Sequence, residues 1–213
     1  MEQEPNHTRF SEIIEKSVML FKNYGIRSVS MDDIARELGM SKKTLYGYVS
    51  NKADLIANAL RMSTESFDEW MGHLRAQDLN AIDELLEVSK RVNEEQSKFN
   101  PSNLFELNKY YPQLLKDHVT QEKKLVYNYC RQNLLLGMEQ GLYRDDLNVD
   151  LISELYIQKI GAIHETEFLE QEKFSFAKIF EVMFENHIRG IANENGIAYY
   201  EKRKQQLNFN QII

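Results

Sequence analysis

Two stripes of apolar residues, one near each end of the chain, repeat at the same offsets. Phe10, Ile13, Ile14, Ser17, Val18 and Phe21 fall at 0, 3, 4, 7, 8 and 11, as do Phe180, Met183, Phe184, His187, Ile188 and Ile191. This spacing follows the turn of an α-helix and gathers each set on one face, whereas a strand would need a period of two. Only three prolines interrupt the 213 residues, and no strand-like alternation or internal repeat stands out. The expected fold class is all-α, built from long helices.

Between residues 24 and 60 the helices are short and sharply punctuated. Gly25 follows Tyr24 and can take the left-handed conformation that ends a helix, so the first helix is predicted over about 7–24. Ser30 with Asp33 three positions on resembles a capping box, and Ile34, Ala35 and Leu38 supply a short buried face. Gly39 stops this second helix, Ser41 caps a third anchored by Leu45 and Val49, and Asn51 caps a fourth. Two short helices joined by Gly39-Met40-Ser41 read as a helix-turn-helix, whose second helix enters a major groove. With Leu45 and Val49 turned inward, Lys42, Lys43, Thr44, Tyr46, Gly47 and Tyr48 face outward or along the rim. Phenol hydroxyls and lysine ammoniums donate to phosphate oxygens. The plainer reading is that Tyr46 and Tyr48 pad the neighbouring helices.

The charge distribution fits contact with DNA at one end only. The net charge is −7, yet residues 1–60 balance to zero and the remainder carries the whole excess. From Leu38 to Ala53 there are three lysines, Lys42, Lys43 and Lys52, and no acid. A basic patch on an acidic body suits a protein that does not coat nucleic acid along its whole surface.

The stretch FKNYGIRSVSMDDIARELGMSKKTLYGYVSNKADL, Phe21 to Leu55, resembles the DNA-binding domain of the TetR family. The matching elements are Gly25, Ser30, Ile34-Ala35, Leu38-Gly39, Ser41, Thr44-Leu45-Tyr46, Tyr48 and Asn51 to Leu55. The resemblance implies a three-helix DNA-binding domain over 1–52 and a helical effector-binding and dimerisation domain over 53–213. It also implies that Ser30, Thr44, Tyr46, Tyr48 and Lys52 grip phosphates; Lys42 and Lys43, near the start of the recognition helix, are candidates for base edges or nearby phosphates. Three departures stand out. Lys43 replaces a small residue, Val49 a phenylalanine, and Gly47 a larger residue, the last at a helix cost of roughly 1 kcal/mol relative to alanine.

Beyond residue 60, helix four is expected to continue through Phe67, Trp70, Met71 and Leu74. Further helices are expected to end near Tyr110 to Pro112 and at Gly141. By resemblance, Phe67, Trp70, Phe105, Tyr110, Tyr127, Cys130 and His164 could line a cavity for a small apolar or aromatic effector, although each also reads as plain core. Two helices are expected to pair with their copies across a two-fold axis. One offers Ile152, Leu155, Tyr156, Ile160 and Ile163, and the other Phe180, Met183, Phe184, His187 and Ile191; ordinary monomer core is the alternative. The last helix, with Lys202-Arg203-Lys204, reads as solvated.

Several classes find no support. No apolar run approaches the roughly 18 residues of a membrane span, and the first five residues lack the apolar core of a signal peptide. A single cysteine, Cys130, excludes an intramolecular disulfide. His164 with Glu167 falls short of a metal set, and no nucleophile–base spacing or phosphate loop suggests an enzyme or a cofactor. The expectation is a cytoplasmic homodimer on double-stranded operator DNA, a repressor released by an effector. The alternative is a helical interaction module that has lost DNA binding.

Overall fold

The structure, a computed structural model, describes residues 4–97, 101–163 and 176–206. Its helices are α1 (Glu4–Tyr24), α2 (Met31–Glu37), α3 (Lys42–Leu45), α4 (Lys52–Arg75), α5 (Ala81–Ser97), α6 (Pro101–Tyr110), α7 (Pro112–Glu139), α8 (Val149–Ile163), α9 (Phe176–Ile191) and α10 (Glu194–Gln206). Among the described residues the fold is all-α, with one isolated bridge between Tyr143 and Ala192. Two compact units emerge, one of residues 1–69 and 99–122, the other of 70–98 and 123–213.

The first unit is organised by the predicted punctuation. Ile13, Ile14 and Phe21 of α1 are buried with Ile34, Leu38, Leu45, Val49 and Leu55. Ser17, the one polar member of the α1 stripe, is fully buried and donates to the Ile13 carbonyl at 2.7 Å, which removes the cost of an unpartnered hydroxyl. Gly25 sits at φ +83° and Gly39 at +62°, left-handed angles that a Cβ disfavours. The Ser30 capping box is complete. Asp33 N–H donates to Ser30 Oγ, and the Asp33 carboxylate accepts from Ser30 N–H at 2.9 Å. Leu107, Tyr111 and Leu114 pack on the same core, so α6 and the start of α7 help build this unit.

In the second unit Ile82, Leu86, Cys130, Leu134, Tyr143, Phe184, Ile188 and Tyr200 form the principal core. A buried polar chain crosses it. Tyr143 Oη donates to Asn133 Oδ1 at 3.0 Å, and Asn133 Nδ2 donates to the Ala81 carbonyl at 2.8 Å and to Glu84 at 3.2 Å. The expectation of a solvated last helix is overturned. Tyr200 is fully buried, while Tyr199 Oη and Arg203 Nε donate to the two carboxylate oxygens of Asp83 at 2.5 and 2.6 Å. The basic run misled the reading because Arg203 answers an acid 120 residues upstream.

Candidate nucleic-acid interface

The recognition helix is short. α3 spans Lys42–Leu45, capped by Ser41, whose Oγ accepts from Thr44 N–H at 3.0 Å. The chain then tightens. Gly47 N–H donates to Thr44 O and Tyr48 N–H to Leu45 O, both at 3.0 Å. A Cβ on Gly47 would lie 3.1 Å from the Thr44 carbonyl, so glycine suits a tight turn here. The helix-interior cost reasoned from sequence does not apply, because the helix has already ended. Val49 is buried, as expected, but from the turn after α3 and not from the helix.

The expected contact residues differ in how far they are free to meet a partner. Lys43, Thr44, Tyr46 and Gly47 are exposed, Tyr46 at 42% of its surface. Thr44 Oγ1 shares a 2.7 Å hydrogen bond with Ser41. Tyr48 is half-buried and packs on the core of the unit. Ser30 is exposed, but its hydroxyl is engaged by Asp33 at 2.6 Å. Lys42 pairs with Asp32 Oδ1 at 2.8 Å, and that hydrogen bond raises its pKa. The stretch that is acid-free in sequence is therefore not acid-free in space, because α2 brings Asp32 to it. Lys52 donates to the Val29 carbonyl at 2.5 Å, and burial lowers its pKa against the opposing pull of Glu106 and Asp33. Lys43 makes no ion pair among the described residues and is the most available cation on this face.

A buried Leu45 beneath an outward Lys43, Tyr46 and Gly47 presents donors over a firm base, as reading a groove requires. Residues 13–59, the segment that builds this head, match the family profile described as bacterial regulatory proteins, tetR family. The head is thus similar to the DNA-binding domain of the TetR family. An HTH-type transcriptional regulator from Bacillus subtilis, YvaF, is 25% identical over 190 residues, covering 84% of this chain and 93% of that protein. A transcriptional regulator from Saccharomonospora viridis, solved in complex with choline, superposes with a TM-score of 0.66 at 20% identity, covering 90% of this chain and all of that one. FadR from Bacillus subtilis, solved with stearoyl-CoA, gives 0.60 at 18% identity over 85% of this chain and 99% of that one. The chain thus has the all-α fold of those proteins, and its head is similar to that of bacterial transcription regulators.

The residues expected to line an effector cavity divide between the units. Phe67, Phe105 and Tyr110 belong to the first, and Trp70, Tyr127 and Cys130 to the second. Phe105 is 57% exposed, and Tyr110 accepts from Arg27. Phe67 and Trp70 are half-buried, with the Arg91 guanidinium 5.7 Å from the Trp70 ring centroid. Tyr127 Oη donates to Asp150 at 3.1 Å. Cys130 is buried, and burial pushes its thiol up to about 11. His164 lies outside the described residues, as does Glu167. Among the described residues no group of three His, Cys, Asp or Glu is placed to hold a metal, and no helix is long and apolar enough to cross a membrane.

The two stripes expected to meet a second copy have different fates. On α9, Phe180, Met183, Phe184, His187 and Ile191 are all buried within the one chain, since α9 packs against both α5 and α8. On α8, Ile152, Tyr156 and Ile160 are half-buried against the chain's own core, and only Leu155 of the described members is exposed; the Ile163 side chain lies outside the described residues. Sequence reasoning missed Leu151 and Val182, exposed apolar residues on these same helices.

Proposed function

We propose that this chain is a DNA-binding transcription regulator of the TetR type, a homodimeric repressor that leaves its operator when a small apolar or aromatic molecule binds the helical body over 53–213. The exposed face of α3 carries the DNA part of this reading. Lys43 and Tyr46 stand over the buried Leu45, with Gly47 letting the backbone approach, and two such faces related by a two-fold axis would read half-sites one turn of DNA apart. Thr44 and Tyr46 would hold phosphates, as would Lys52 and Lys42 once they exchange their internal acceptors for them. Ser30 and Tyr48 would sit at the rim.

The dimer reading is supported by the outward faces of α8 and α9, which pack on each other and leave Leu151, Leu155 and Val182 roughly half exposed. Burying these against a second copy removes apolar surface that a monomer leaves in water. The effector reading is supported by the structures of relatives solved with choline and with stearoyl-CoA. An effector that binds a non-operator state more tightly shifts the population away from DNA.

The test is a fluorescence-anisotropy titration of the full chain. It uses DNA from upstream of its own gene and a random duplex, at two salt concentrations, with the mass in solution measured by light scattering. Tight binding that prefers the upstream duplex, a dimer mass and a log–log salt slope near about −5 are expected if each subunit neutralises roughly three phosphates. A slope near zero, or no binding to either duplex at low salt, would replace this reading with that of an interaction module.

A further inference from the structure

The loop between α1 and α2 is gripped from two sides. Arg27 N–H donates to Glu106 Oε2 at 2.8 Å, and its guanidinium Nη1 donates to Tyr110 Oη at 2.9 Å. Both acceptors lie on α6, one turn apart and some eighty residues along the chain. From α4, Lys52 Nζ donates to the Val29 carbonyl at 2.5 Å and reaches that of Arg27 at 3.5 Å. The left-handed Gly25 brings the backbone so near α6 that a Cβ there would sit 3.4 Å from both Glu106 carboxylate oxygens. All of these contacts fall within the first compact unit.

This loop runs directly into Ser30, the residue that caps α2, and α2 in turn carries Ile34 against the core and Asp32 against Lys42. A shift of Arg27 therefore moves the origin of the whole helix pair. Base contacts depend on hydrogen-bond geometry that weakens steeply with misalignment, whereas attraction to phosphates is long-ranged and tolerant. We propose that Glu106 and Tyr110 are positioning residues for operator recognition: by fixing Arg27 they set where α2 and α3 lie, and so determine sequence discrimination from a helix outside the helix-turn-helix. This rests on the regulator reading above and adds specificity determinants to it.

The experiment compares the full wild-type chain with a Glu106→Ala/Tyr110→Phe variant. The probes are the duplex that the wild type enriches from a random pool and an unselected duplex of equal length, both at one salt concentration, with melting temperatures measured in parallel. The double variant should lose about tenfold in the ratio of the two affinities, the size of one lost base contact, while its affinity for the unselected duplex stays within about twofold. Glu106→Gln, which keeps an acceptor oxygen for Arg27 N–H, should return the ratio to within roughly threefold of wild type. Should the double variant not fold, Tyr110→Phe alone removes a single hydroxyl and should lower the ratio by about threefold. An unchanged ratio overturns the proposal, as does an equal loss on both duplexes with a lowered melting temperature, which would make the pair a stability contact only. If the wild type enriches no duplex, the regulator reading falls and this one with it.

Discussion

Gly137→Ala is a single-methyl change that should unsettle the corner between α7 and α8. A Cβ built on Gly137 falls 2.6 Å from Tyr143 Cγ and nearer still to Cδ2 and Cε2. Carbon atoms in ordinary contact stand about 3.5–4.0 Å apart, so the ring must retreat by about 1 Å or more. It has nowhere to go, since Tyr143 is only 2% exposed and packs among the principal core residues of the second unit. Overpacking of this kind costs about 1–3 kcal/mol. Displacing the ring also breaks the 3.0 Å bond from Tyr143 Oη to Asn133 Oδ1 and leaves a buried acceptor unpartnered, for about 1–3 kcal/mol more. The helix propensity of alanine over glycine returns roughly 1 kcal/mol. The net is a loss of about 3 kcal/mol, or about 6–12 °C in Tm for a chain of this length. Thermal unfolding followed by circular dichroism measures it, and Gly137→Ala/Tyr143→Leu should recover part of the loss. A Gly137→Ala melting point within about 2 °C of wild type would refute the argument, because it would mean that Tyr143 can move at no cost.

Three further outcomes follow from groups whose surroundings are equally well defined. His187 is buried beside the Tyr156 ring, 4.2 Å between centroids, and burial with the nearby Lys159 charge lowers its pKa to about 4. The unfolded chain takes up this proton near pH 6.5 while the folded chain refuses it until about pH 4. Stability should therefore be full above pH 6.5 and fall by up to about 3 kcal/mol as the pH drops through that window. Urea titrations should show this fall flattened in His187→Gln, and identical pH profiles would count against it. Asp32→Asn should free Lys42 and strengthen DNA binding, with a log–log salt slope steeper by about one unit per subunit; a weaker or unchanged titration would mean that the pair does not compete with phosphate. Cys130, buried with a thiol raised to about 11, should resist Ellman's reagent at pH 8 until denaturant is added, and prompt labelling of the native chain would contradict its placement in the core.

What could be read from sequence was what depends on neighbours a few residues away. The Ser30–Asp33 box, the Ser41 and Asn51 caps, the left-handed Gly25 and Gly39 and the buried stripe of α1 are all local, with periods and offsets that follow from helix geometry. The helix-turn-helix was legible for the same reason, since both of its helices are short and start and stop on their own residues.

The tertiary structure decided what those residues face. A stripe at helical spacing states that a face is buried without naming its partner, so the α9 stripe proved to be used inside the chain, and Leu151, Leu155 and Val182 were left outside. Charge windows in sequence omit acids delivered by other elements. Asp32 reaches Lys42 across the helix pair, Asp83 reaches Arg203 across 120 residues, and the Val29 carbonyl holds Lys52. Such pairings arise when separate helices pack and bring polar groups of different elements together, and those drawn out of water must find acceptors wherever the packing leaves them. Helical periodicity determines that this chain forms helices and how its helix-turn-helix begins and ends; only close packing determines which lysines of that unit remain unpaired within the fold.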